Sequence, residues 1–136
     1  MSDTFRAAFA RYMDARMEQN AALLEWVRAA DKQEAEPLRR AHAAEARRDS
    51  AADVCVSILL EDPFSAKFEY ETLRSRIKGK CDRGTWAKMT EHLQALDETF
   101  YRHYRRAWMV AAARRYGPKM ITGFGIGAAL IGYFAA

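Results

Sequence analysis

The run from Met120 to Ala136, MITGFGIGAALIGYFAA, constrains this chain more than any other stretch, because it carries no charged side chain. The nearest ionised groups, Lys119, Arg115 and Arg114, all stand on its N-terminal side, and the sequence stops at the other. Such a segment is expected to leave water, either as a membrane span or as a buried core helix of a soluble domain. At a helical rise of ~1.5 Å per residue it reaches roughly 25 Å, slightly short of the ~30 Å hydrocarbon core of a bilayer. Lys119 and the paired arginines can run their stems along the acyl boundary while Tyr133 sits at the opposite headgroup level, so the mismatch is tolerable. The expectation is one C-terminal transmembrane helix over residues 118–136.

Average composition conceals this segment. Of the 136 residues 29% are charged, and the mean hydropathy of -0.38 is that of a soluble protein. What precedes the tail suffices for one small domain with a limited core. Apolar usage is rich in Ala and poor in β-branched residues, and only three prolines punctuate the chain. An all-α protein follows, with elongated helical hairpins or an arm and a long heptad-patterned helix ahead of the anchor. The expected divisions are an amphipathic helix over 1–36, central helices with a turn over 37–84, a long juxtamembrane helix over 85–117 and the anchor.

The net charge of +4 hides an asymmetry. Between Phe100 and Lys119 stand Arg102, Arg105, Arg106, Arg114, Arg115 and Lys119, with no Asp or Glu among them. Under the positive-inside rule this flank stays in the cytoplasm or the mitochondrial matrix, with the C-terminus on the far side. Arg105, Arg106, Arg114, Arg115 and Lys119, with Trp108, Tyr116 and Tyr133, are the residues expected at lipid headgroups. Anionic lipid would attract the collar by roughly 1 kcal/mol per nearby basic side chain. Arginines mixed with Tyr101, Tyr104 and Trp108 also suit nucleic acid, but beside an uncharged span the headgroup reading is the stronger.

Along the chain, the N-terminus never builds the apolar core of a secretory signal. Arg6, Arg11 and Arg16 interleave with Phe5, Phe9, Tyr12 and Met13 in the manner of a mitochondrial import sequence, whereas Asp3, Asp14 and Glu18 argue against a cleaved one. The simpler reading is an amphipathic helix from about Thr4 to Glu34, burying Phe5, Phe9, Met13, Met17, Asn20, Leu24 and Val27, with Leu23 and Trp26 widening the face. Pro37 opens a second helix whose Ala-rich first half should project into water or against a partner, while Val54, Ile58 and Leu59 make its buried contact. Asp62-Pro63 opens a third, with Phe64, Phe68, Tyr70, Leu73 and Ile77 on its buried side and Gly79 as its stop. Thr85 should cap the fourth helix. Trp86, Met89, Leu93, Leu96, Phe100, His103, Ala107 and Val110 form its heptad seam, over about 45 Å to Tyr116. It should pack on the third helix and then continue alone as a stalk until Gly117-Pro118 breaks it.

Within the anchor, Gly125, Ala128, Ala129, Gly132 and Ala136 share one helical face, and Gly123 and Gly127 form a GxxxG on an adjoining one. Small residues let membrane helices approach closely, so this surface is expected to pack against another helix. No catalytic constellation is recognisable. His42, His92 and His103 lie far apart, and Gly79, Lys80, Gly84 and Thr85 are not in the order of a phosphate loop. Cys55 reads as a small buried hydrophobe and Cys81 as a turn thiol. No cofactor, metal or small-molecule substrate is implied.

Two functional classes fit. One is a non-catalytic, single-pass accessory subunit of a large membrane assembly, most naturally an energy-transducing complex of the mitochondrial inner membrane such as a respiratory-chain complex or the ATP synthase. Its partners would be neighbouring subunits and lipid, with the N-terminal domain in the matrix. The other is a tail-anchored adaptor on the outer mitochondrial or endoplasmic reticulum membrane that recruits a soluble partner. A thinly cored, Ala/Arg-rich domain favours the first.

Overall fold

The computed structural model describes residues 2–29 and 35–123, with side chains up to residue 117. Four helices form and, among these residues, no strand: α1 Asp3–Ala29, α2 Ala35–Leu59, α3 Pro63–Gly79 and α4 Arg83–Gly123. The segment on which the membrane expectation rests lies almost wholly outside them. Among the described residues no helix is long and apolar enough to cross a membrane.

Local chemistry sets the helix starts. The Ser2 hydroxyl accepts from the Phe5 N–H at 3.2 Å and opens α1. Asp62 caps α3 through the Phe64 N–H, with Pro63 at the first helical position. At α4 the expected cap is corrected: Asp82, not Thr85, does the capping, its carboxylate accepting from the Thr85 N–H at 2.7 Å. The helix therefore starts at Arg83, three residues ahead of the start that a Thr85 cap implies. In the same way α2 starts at Ala35, ahead of Pro37, which still lies in the first turn where no N–H is needed.

All four helices feed one core, in which Phe5, Tyr12, Cys55, Tyr70, Leu93, Leu96 and Phe100 are fully buried. Burial of each large apolar side chain contributes about 2 kcal/mol. The Tyr12 hydroxyl donates to the His92 carbonyl at 2.5 Å and ties α1 to α4. Tyr70 stacks on Phe100 with ring centroids 4.5 Å apart and joins α3 to α4.

Several expected faces are rotated. On α1 the buried side is Phe5, Ala8, Tyr12 and Gln19, while Met17, Leu24 and Val27 are at least half exposed. The reason lies in α2, which meets α1 through Ala41, Ala44 and Ala52. Such a narrow alanine ridge favours close helix approach and leaves the bulkier stripe outside, while the oxygen of the buried Gln19 amide accepts from Arg48 of α2 at 3.0 Å. The first half of α2 is accordingly packed on α1, tied by Arg47 to Glu18 and Arg40 to Glu25 at 3.6 Å each. Val54 is exposed and its neighbours Cys55 and Val56 take the core positions. On α3, Phe68 is 75% exposed, and Ala66 and Tyr70 are buried instead. On α4 the seam holds at Leu93, Leu96 and Phe100, but His103 and Val110 face outward.

The elongated part is also a different one. α4 does not leave the bundle as a bare stalk, because Ala112 is fully buried and Phe64 of α3 packs against it as far along as Arg115. The projecting element is the α1–α2 hairpin. Its distal half contributes nothing to the shared core, and beyond Tyr12 it continues for about 25 Å.

Candidate functional site

The expected headgroup residues fall on the last third of α4, and the helix distributes them over two sides. Positions 105, 108 and 115 share one side, and 106, 110 and 114 another. The first side adjoins α3. There the Phe64 ring meets Trp108 edge-on at 6.0 Å, and the Arg115 guanidinium lies 4.8 Å over the same ring. Trp108 is therefore half buried in helix packing, whereas Tyr116 is more than half exposed.

The second side adjoins the end of α2 across an open groove of about 740 Å³. Val56 of α2, Leu60 just after its end, and Ala107 and Val110 of α4 line it with apolar surface, Asp53 and Glu61 edge the α2 side, and Arg106 and Arg114 edge the α4 side. No ion pair bridges these edges among the described residues, so both charges remain available at the rim.

Arg102, Arg105, Arg106, Arg114 and Arg115 are all exposed. Among the described residues none has a carboxylate within 4.0 Å, in contrast to Arg39, Arg40, Arg47, Arg48 and Arg74. The C-terminal third of α4 thus carries a run of uncompensated positive charge. It ends at Gly117, whose φ of 57° and ψ of -148° interrupt the helix. A non-glycine residue is strained there, and the extended ψ is what the following Pro118 requires. Lys119, Tyr133 and the small-residue face of Gly123, Gly125, Gly127, Ala128, Ala129 and Gly132 lie outside the described side chains.

No protein-family model, curated protein or solved structure matches this chain.

One partly buried polar cluster carries no signal in the sequence. The Tyr70 hydroxyl donates to Asp97, whose other oxygen lies 3.2 Å from Arg74, and the Arg74 guanidinium also covers the Trp86 ring at 5.5 Å. Burial, and then the bond to Asp97, push the Tyr70 hydroxyl far above the ordinary phenol range, so it stays protonated and acts as a donor. The spacing of 27 residues between Tyr70 and Asp97 leaves no local signal of this contact. Beside it, Glu71, Arg74, Ser75, Lys78, Trp86 and Tyr101 line a smaller polar pocket of about 390 Å³.

The remaining reactive groups are separated. Cys55 is buried, and desolvation lifts its thiol to about 12, which makes it inert at neutral pH. Cys81 is half exposed in the α3–α4 turn. His42 and His103 are exposed and His92 is half buried. Among the described residues no group of three His, Cys, Asp or Glu could hold a metal ion.

Proposed function

We propose that this chain is a non-catalytic, single-pass accessory subunit of a multi-subunit membrane assembly, held by its uncharged C-terminal segment with the helical bundle on the basic-flank side. The observation that carries the reading is the run of five exposed arginines without carboxylate partners on α4, which leads through the Gly117 break into the uncharged segment. Unpaired arginines at that place suit phosphate headgroups and fix topology. The α1–α2 hairpin then projects as a brace, with Met17, Leu24 and Val27 exposed for contact with a neighbouring subunit. An energy-transducing complex of the mitochondrial inner membrane, with the bundle in the matrix, is the host this architecture suits best.

A second reading, a tail-anchored adaptor on the outer mitochondrial or endoplasmic reticulum membrane, draws on the α2–α4 groove. Apolar lining between an acidic and a basic rim suits an amphipathic helix of a soluble partner. Native electrophoresis of membranes solubilised in mild detergent separates the two. Migration with an assembly far larger than the 15.5 kDa chain supports the accessory subunit. A free monomer or dimer that retains a soluble client supports the adaptor.

A further inference from the structure

The outer flank of the α3–α4 pair carries surface that the bundle's own packing does not use. Phe68 is 75% exposed. On α3 the positions 64, 68, 71, 75 and 78 share one side of the helix, and on α4 the positions 101, 105, 108 and 115 do the same. These two stripes abut. Phe64 meets Trp108 and Arg115 at one end, while Glu71, Ser75 and Lys78 share a pocket with Tyr101 at the other. Phe68 stands between Phe64 and Glu71 and is therefore level with Arg105, between Tyr101 and Trp108.

We propose that this flank, centred on Phe68 and Arg105, lies against an anionic phospholipid surface. The inference rests on the membrane reading above and deepens it, since it replaces a bundle tethered at one point by a bundle with a fixed side toward the bilayer. Three observations favour lipid as the occupant. An aromatic ring as exposed as Phe68 loses apolar area to water unless something covers it, and its neighbours Tyr101 and Trp108 are the residue types that settle at headgroup level. Arg105 and Arg115 have no carboxylate partner among the described residues, so phosphate can take their donors. Finally, the flank is continuous with the proposed anchor, because Arg115 stands two residues before the Gly117 break. Glu71, in the pocket at the Tyr101 end, and the exposed Glu98, one heptad before Arg105 on the same side of α4, oppose the scheme, but both lie away from the Arg115 end of the flank.

The test uses the full-length chain with Cys81→Ser, leaving Cys55 buried, and a nitroxide spin label at Phe68→Cys. It is mixed with vesicles of phosphatidylcholine with or without phosphatidylserine, and the floated fraction is examined. The expected result is a several-fold loss of access to a water-soluble nickel chelate and a gain in relaxation by oxygen, both dependent on phosphatidylserine. A label at Arg47→Cys, on the projecting hairpin, should stay in water. Replacing Arg105 and Arg115 together by Ala should return the Phe68 label to water while the chain still floats. A floated chain whose Phe68 label is as open to nickel as the Arg47 label overturns the proposal and spares the anchor. So does shielding without the oxygen gain, which would mean contact with another protein chain, or shielding indifferent to phosphatidylserine. A chain that never floats removes both.

Discussion

The Tyr70 hydroxyl donates a hydrogen bond to the Asp97 carboxylate inside the α3–α4 interface, where Tyr70 is fully buried. Arg74 holds the other carboxylate oxygen at 3.2 Å, so one acid satisfies two donors from α3. Tyr70→Phe removes one donor and leaves the ion pair, and should lower stability by about 1 kcal/mol. Asp97→Ala strands a buried phenol and a half-buried guanidinium, and should cost about 2–4 kcal/mol. Urea denaturation of both variants decides it. Equal losses would mean that Asp97 does not join the two donors.

Alkaline pH should unfold the protein through groups held protonated by burial. The Cys55 thiol is lifted from 9.0 to about 12, and the Tyr12 and Tyr70 hydroxyls are raised above 10.0 as well. The unfolded chain releases these protons first, so the native state binds more of them and stability falls as pH rises. Stability from Cys55 is complete below pH 9.0 and declines toward about 12. Cys55→Ala should flatten the early part of that decline, as measured by urea midpoints across the range. In the native state a thiol reagent should modify Cys81 alone. Modification of both thiols at equal rates would contradict the burial of Cys55.

The choice of buried face on α1 and α2 is open to a paired test. Leu24→Gln and Val27→Gln fall on exposed positions and should each change stability by less than about 0.5 kcal/mol. Ala44→Leu inserts bulk into the alanine ridge, where Ala44 is 1% exposed, and should cost about 1–3 kcal/mol. A reversed order of effects would restore the heptad stripe as the contact face.

Among the described residues a Cβ at Gly117 would meet nothing within 4 Å, so Gly117→Ala is opposed there by backbone strain, at about 1–3 kcal/mol. The core lies on the N-terminal side of this break. Hydrogen exchange should quicken for amides adjoining residue 117 while the urea midpoint of the bundle stays where it is. A midpoint drop comparable with that of Ala44→Leu would show that the break supports the fold itself.

Under the proposed anchor reading, Gly132→Leu should reduce incorporation into the parent assembly without blocking insertion, since it would fill the expected small-residue face. Arg114→Glu with Arg115→Glu should disturb orientation or insertion by removing the positive flank. Alkaline extraction and protease protection measure insertion and orientation, and native electrophoresis measures incorporation. Normal incorporation of the glycine variant would remove the small-residue face as a packing surface.

Sequence alone determined the helical class, the bounds of α3 and the basic end. Asp62-Pro63, Gly79 and the Leu93, Leu96, Phe100 spacing act within a turn or two, so their message survives without knowledge of any partner. The arginine excess before Gly117 is a property of composition in the same way. Tertiary structure decided which stripe of α1 is buried, why Cys55 and Val56 displace Val54, how Phe68 comes to be exposed, and that the collar splits between the α3 side and the α2 groove. An amphipathic helix can carry two apolar stripes, and only the shape of the neighbouring surface selects one. On α2 that surface is a ridge of alanines, which rewards close approach over side-chain size.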